Sequence, residues 1–165
     1  MRPLAPVALE YRVRGGAEIV VAFFFAIVAA ILNPVEAGVG MVIGSAIFGP
    51  IVYFSLLRPY TRRGIAQARP SPTEEREDPS AAVRRIAWPI AGQFLVSLVL
   101  AGLARGPGLF GGIALGIGVA ALVTARRIDH WQTARGASVL RDPGERVRRQ
   151  AGERRTPRYY VQRPE

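Results

Sequence analysis

GLFGGIALGIGVAALVTA, residues Gly108–Ala125, decides how this chain is to be read. Its 18 residues carry no charge and run directly into Arg126-Arg127. As an α-helix the stretch is about 27 Å long, enough to cross most of a bilayer's hydrocarbon core. Small residues recur at every fourth position: Gly108, Gly112, Gly116, Ala120 and Thr124. On a helix they form one flat seam, against which a second helix packs backbone to backbone. The paired arginines mark the return to water.

Three further windows lack charge: Ile19–Leu32, Ala37–Leu57 and Ile86–Ala104, of 14, 21 and 19 residues. Half of the chain is hydrophobic, yet all 34 charged residues fall in the 93 positions outside the four windows. A soluble amphipathic helix shows a charge in nearly every turn. These windows are apolar all round, as lipid-embedded helices are. The chain therefore reads as an all-α polytopic membrane protein. Four transmembrane helices, over about 17–35, 37–57, 86–104 and 108–125, are expected to form two antiparallel hairpins.

The net charge of +10 is explained by its placement. Every basic residue is arginine, 22 in all. No arginine lies in Asn33–Glu36 between the first two windows, and one, Arg105, lies between the last two. Three precede the first window, seven stand between the second and third, and 11 follow the fourth. This asymmetry places both termini and the central loop in the cytoplasm. Arginine-only usage with abundant Ala, Gly and Pro suggests a high-GC bacterial genome, and hence a bacterial cytoplasmic membrane.

Outside the spans, residues 1–16 read as an irregular cytoplasmic arm. Arg2, Arg12 and Arg14 before Ile19–Leu32 also have the layout of a signal peptide. Cleavage near Ala37 would leave a chain opening on an uncharged span, so the window is read as a first span. Asn33-Pro34 closes an external turn, and Gly49-Pro50 predicts a kink within span two. Residues 58–85 form a central loop whose prolines and acidic run Glu74-Glu75-Arg76-Glu77-Asp78 favour mobility. Asp78-Pro79 is a helix start. The tail, residues 126–165, is Arg-rich and partly disordered. Ile128 and Trp131 would let the last helix run along the membrane surface. A short helix is expected over 143–155, from the cap pattern Asp142-Pro143-Gly144-Glu145.

Several residues invite functional readings. Gly40 and Gly44, with Gly108, Gly112, Gly116 and Ala120, are helix-packing candidates. Gln93 and Ser97 share a face of span three. They either hydrogen-bond to a neighbouring helix or line a polar path. Glu18 reads as a headgroup-depth residue at a helix start, with a proton-coupling carboxylate as the sharper alternative. A glutamate on the first of four spans also occurs in small multidrug transporters. Here it stands at the edge of the window and no other motif is shared. Arg126, Arg127, Trp131, Arg148, Arg149, Arg154, Arg155, Tyr159 and Tyr160 are candidates for contact with lipid or a partner, with arginine as phosphate clamp. Nucleic acid ranks below lipid and protein, for want of a recognised module.

Catalytic chemistry is not expected. The chain has no cysteine and no lysine, which excludes thiolate metal sites, Schiff bases and a Walker A lysine. His130 is the single histidine, and its neighbour Asp129 points to a different helix face. No catalytic residue, metal site or cofactor is assigned. The leading expectation is a non-enzymatic membrane adaptor or assembly subunit. Its partners would be the lipid bilayer, a second copy or another membrane protein, and a cytoplasmic protein engaged by the tail. The alternative is a small oligomeric pore of the holin-like or phage-exclusion kind. A proton-coupled small exporter using Glu18 ranks third.

Overall fold

A computed structural model describes residues 3–72, 76–104, 106–142 and 159–162. The chain is mostly helical, and four helices are long and apolar enough to span a membrane. In order they are α1 (Val7–Leu32), α2 (Pro34–Ile51), a π-helical segment (Val52–Leu57), α3 (Arg58–Ala66), α4 (Pro79–Ala104) and α5 (Pro107–Arg135). Four short strands complete the fold: β1 (Ala5–Pro6), β2 (Arg69–Pro70), β3 (Ser138–Arg141) and β4 (Tyr159–Gln162).

The helix ends follow local chemistry. Asn33 separates α1 from α2. Its extended backbone breaks the helix, its side chain accepts from the Glu36 N–H at 3.3 Å, and Pro34 opens α2. The kink expected at Gly49-Pro50 takes a specific form. Pro50 has no N–H to give and its ring crowds the preceding turn, so the hydrogen bonds slip to the π pattern over Val52–Leu57. The helix then resumes as α3. At the end of α5, Gly136 adopts φ 56°, the left-handed cap that glycine tolerates best.

α5 is the hub. It packs against α1 on one side and α2 on the other, while α4 leans chiefly on α1. Gly15 of α1 lies against Gly118 and Leu122, and further along α1 Ala22 and Phe25 lie against Gly111, so α1 and α5 run antiparallel. Gly40, Gly44 and Gly49 of α2 meet Gly108, Gly112 and Gly116 in turn, so α2 and α5 run parallel. Phe25 is buried and close to Phe94 of α4 and Phe110 of α5, at ring distances of 5.9 and 6.3 Å. The outer faces of α1, α2 and α4 expose Val20, Ile27, Val42, Ile47, Val96, Val99 and Leu103.

At the end where α1 begins and α5 finishes, the strands form one sheet in the order β1-β3-β4-β2. β1 and β4 flank β3 antiparallel, with Ala5 opposite Arg141 and Leu140 opposite Tyr160, and β2 joins β4 in parallel. The chain is mostly helical, as expected, with this small sheet added to the helices. The sheet corrects three expectations. The arm over residues 1–16 is not irregular, because Ala5–Pro6 pairs in the sheet and a helix starts at Val7. Part of the central loop is docked, through Arg69–Pro70, through a bridge from Arg76 to Leu4, and through the Glu77 N–H to the Leu4 carbonyl at 2.9 Å. Tail residues 138–141 and 159–162 are strands. The physical reason is shared. Each segment alone buries too little to fold, but together they cover Val7, Ala8 and Ile128 at the ends of α1 and α5. The helix expected over 143–155 lies outside the described residues.

Beneath the sheet is a small core of Val7, Ala8, Ile128, Val139 and Tyr159, with Tyr11, Ile65 and Trp131 packed around it. Ile128 is therefore enclosed by protein and does not lie along a membrane surface.

Candidate functional site

Glu18 is the most unusual side chain in the bundle. It is only 1% exposed, held inside rather than at a solvated helix start. Its Oε2 accepts from Gln93 Nε2 of α4 at 3.3 Å, and Arg14 Nε, one turn earlier on α1, lies 3.9 Å from Oε1. Oε1 has no hydrogen-bond partner among the described residues. A buried carboxylate is tolerated only when paired, and here the pairing comes from a single amide and a neighbouring guanidinium. The helix-start reading of Glu18 is thus corrected, since α1 begins at Val7 and Glu18 lies well inside it, buried against neighbouring helices. α5 covers the side of α1 that carries it, because the glycines of α5 let the two backbones close.

Glu18, Gln93 and Ser97 border a cavity of about 30 Å³, otherwise walled by Phe25, Phe94 and Phe110. That volume admits a water molecule and falls far short of the several hundred Å³ of a small-molecule site. The structure so brings Gln93 and Ser97 together with Glu18. No pairing of these positions is visible from their separate spacings in the sequence.

The glycine candidates also come together, within one chain. A Cβ added at Gly40 would stand 2.6 Å from the Leu109 nitrogen, and one at Gly108 would stand 2.8 Å from the Glu36 carbonyl oxygen. At Gly44 it would meet the backbone of Gly112 at 2.8 Å, and at Gly116 the nitrogen of Gly49 at 2.7 Å. Ala120, one turn further along α5, is buried.

Near the sheet, the proposed contact residues separate. Arg126 is exposed. Arg127 Nη1 donates to the Tyr53 hydroxyl at 2.6 Å and its guanidinium stacks over that ring. Trp131 is half-buried, with Arg135 over its face at 5.1 Å. Tyr159 is corrected. It is 1% exposed, lies against Gly64 of α3, and cannot touch lipid or a partner in this fold. Burial pushes its phenol well above the ordinary range, with the nearby Tyr11 adding to the effect and Arg141 opposing it. Tyr160 is partly exposed on β4. Arg148, Arg149, Arg154 and Arg155 lie outside the described residues.

Sequence reading missed one cluster entirely. Glu10, buried at the start of α1, accepts from Arg85 of α4 and from Arg141 of β3, and Arg85 also pairs with Glu77 at 2.8 Å. Three stretches far apart in sequence, around Glu10, Glu77–Arg85 and Arg141, are tied by this network. Glu10 sits three residues into α1, one turn before Arg14, and nothing in its neighbours signals distant partners. On the other side of the bundle Arg12 pairs with Asp129 of α5 at 2.6 Å.

The buried polar pair can lock two helices, and the ionic network can hold a cap on the bundle. Among the described residues no group of His, Cys, Asp and Glu side chains is arranged to hold a metal ion. No family model matches the chain, and no curated protein or solved structure does so either.

Proposed function

We propose that the chain is a four-span protein of a bacterial cytoplasmic membrane, built as two antiparallel hairpins, that works as a non-enzymatic adaptor or assembly subunit. The observation that carries this reading is the cap. Three segments that flank the spans, together with the turn after α5, converge on one end and fold into a single sheet sealed by the Glu10 network. A chain that needed only to anchor itself would gain nothing from such a structure. The arginine distribution supports a cytoplasmic position for it. The apolar outer faces of α1, α2 and α4 support insertion, since a soluble protein rarely leaves so large an apolar surface uncovered.

The edges of the cap fit a platform that recruits through side chains. Both edge strands are two residues long and each contains a proline, Pro6 and Pro70, which blocks strand addition by a partner. The pore alternative drew on the glycine seam together with the Gln93 and Ser97 stripe. That seam packs on α2 of the same chain, which supports the adaptor over a pore closed through the seam. The exporter reading gains from the burial of Glu18, but a cavity of about 30 Å³ beside it favours a helix lock over a solute site.

The test places a photo-crosslinking residue at Tyr160 or Gln162 of the full chain in its native membrane. The adaptor reading expects one discrete adduct, lost when Gly64→Leu displaces Tyr159 and unseats the cap while the spans stay inserted. Absence of any adduct, together with membrane depolarisation on induction that Gln93→Leu abolishes, would replace it with the pore.

A further inference from the structure

Where the π-helical segment and α3 cross the end of α5, a cavity of about 290 Å³ opens, lined by Tyr53, Arg58, Thr61, Arg62, Arg127 and Trp131 among others. Three guanidiniums converge on it, and among the described residues none of the three pairs with a carboxylate. This contrasts with Arg12, Arg85 and Arg141, each of which does. Arg58 and Arg127 are held over aromatic faces, of Phe54 at 5.6 Å and Tyr53 at 6.0 Å, so their planar forks are oriented before any ligand arrives. The Tyr53 hydroxyl accepts from Arg127, which leaves its own O–H available to donate. Thr61 and Thr124 spend their hydroxyl hydrogens on the helix carbonyls of Leu57 and Ala120. Donors on the pocket wall therefore come from arginine and Tyr53. Such a set suits an oxyanion with several acceptor oxygens.

The position narrows the source. The charge-free windows Ala37–Leu57 and Gly108–Ala125 both end at this pocket. Its floor is apolar, through Ile65 and Ile128, and its rim is cationic. Trp131 stands on the same rim, where an indole with one apolar and one polar edge is at home. We propose that this pocket binds the phosphate of an anionic phospholipid headgroup in the leaflet facing the cap, with Arg58, Arg62 and Arg127 as the clasp and Tyr53 as a fourth donor. The inference rests on the membrane reading above, since a soluble chain would meet no such headgroup there.

The experiment uses the full chain in nanodiscs of mixed phosphatidylcholine and phosphatidylglycerol, with retained lipid counted by native mass spectrometry. Wild type is expected to retain phosphatidylglycerol over phosphatidylcholine. Arg62→Gln and Arg127→Gln should each lower that preference about tenfold, the loss of one charge-assisted contact. Arg63→Gln, on α3 beside Arg62 but outside the pocket lining, should leave it unchanged. Because Arg127 also holds Tyr53, Arg62→Gln serves as the cleaner variant if Arg127→Gln unfolds. A parallel arm adds inorganic phosphate to protein in neutral detergent. Arg62-dependent stabilisation there, without any lipid preference in nanodiscs, would keep the phosphate clasp and move its source to a soluble phosphate compound. Equal retention of both lipids with no response to phosphate, or a preference that Arg62→Gln and Arg63→Gln reduce alike, overturns the proposal. Recovery of the chain in the soluble fraction would instead overturn the membrane reading, and the phosphate arm would still report on the clasp.

Discussion

Gly112→Ala tests how the bundle is held together, because the cost can be worked from the register. A Cβ on Gly112 would stand 2.6 Å from the carbonyl oxygens of Gly40 and Met41 and 2.9 Å from the Gly44 Cα. All three are backbone atoms, so no rotamer change relieves the contact. Ordinary carbon contacts begin near about 3.5 Å, so α2 and α5 must part by somewhat under about 1 Å, a gap that forfeits roughly a quarter to a half of the local dispersion attraction. The glycine pairs one turn to either side loosen with it. Overpacking of this kind costs about 1–3 kcal/mol, and alanine returns up to about 1 kcal/mol through its better helix propensity. The net expectation is a loss of about 1–2 kcal/mol, a five- to thirtyfold shift in the unfolding equilibrium. Gly38→Ala is the control. It lies on the same helix two residues from Gly40, and an added Cβ there meets nothing within 4 Å. It should be neutral or stabilising by up to about 1 kcal/mol. Both can be measured by denaturant titration in micelles, with Trp131 fluorescence in a Trp88→Phe background as the reporter. Equal effects of the two substitutions would refute the packing argument. A Gly112→Ala defect that disappears on dilution would show the seam working between chains.

Glu10→Gln should cost about 3 kcal/mol, because it leaves Arg85 and Arg141 partly buried without their shared countercharge; loss of hydrogen-exchange protection at Val139 and Leu140, with the far ends of the helices unchanged, would register it. Tyr159 gives the cap an alkaline limit. Its folded phenol binds its proton more tightly than the unfolded one, so its contribution is fully present below the ordinary value of 10.0 and is lost as pH rises beyond it. Tyr159→Phe should flatten that part of the pH dependence and stay near neutral at pH 7, since among the described residues the hydroxyl has no hydrogen-bond partner of ordinary geometry; a cap equally stable at pH 8 and pH 11 in wild type would contradict this. The absence of native cysteine makes topology directly testable: Val35→Cys should react with an impermeant maleimide in intact cells and Gln67→Cys only after lysis, and the reverse pattern would invert the proposed orientation.

The four long helices were legible because lack of charge is a local property that any window reveals. Their lengths were less so. α1 and α5 run beyond their windows, to Val7 and Arg135, because charged residues such as Arg12 and Asp129 can remain helical once they pair across the helices. The period-four glycines were legible as a seam, but a one-dimensional pattern does not say whose backbone lies opposite. A clue was present: Gly40 and Gly44 carry the same spacing as Gly108 and Gly112 on a span of the same direction. The cap was illegible for a different reason. Strands of two to four residues, two of them containing proline, show no alternation, and the two proline-containing strands find partners such as Tyr160 for Arg69 and Arg141 for Ala5, on the far side of two or more helices in the chain. Such strands hold because they close over the few apolar side chains that the helix ends present, Val7, Ala8 and Ile128.

α4 differs from the other three long helices in what holds it. It offers α1 no small-residue seam: a Cβ added at Gly92 or Gly102 meets nothing within 4 Å. Its attachment comes instead from discrete points. Arg85 grips Glu10 near the cap, Gln93 meets Glu18 one span-third further along, and Phe94 wedges against Phe24 and Phe25. An interhelical hydrogen bond within a membrane bundle is worth about 0.6–2 kcal/mol, less than a continuous backbone seam supplies. Beyond Phe94 the grip ends. Val28 and Leu32 of α1 and Leu98 and Ala101 of α4 border a cavity of about 450 Å³ toward the end away from the cap. α4 is therefore pinned at one end by charge, latched once in the middle by Glu18, and loosely packed at the other.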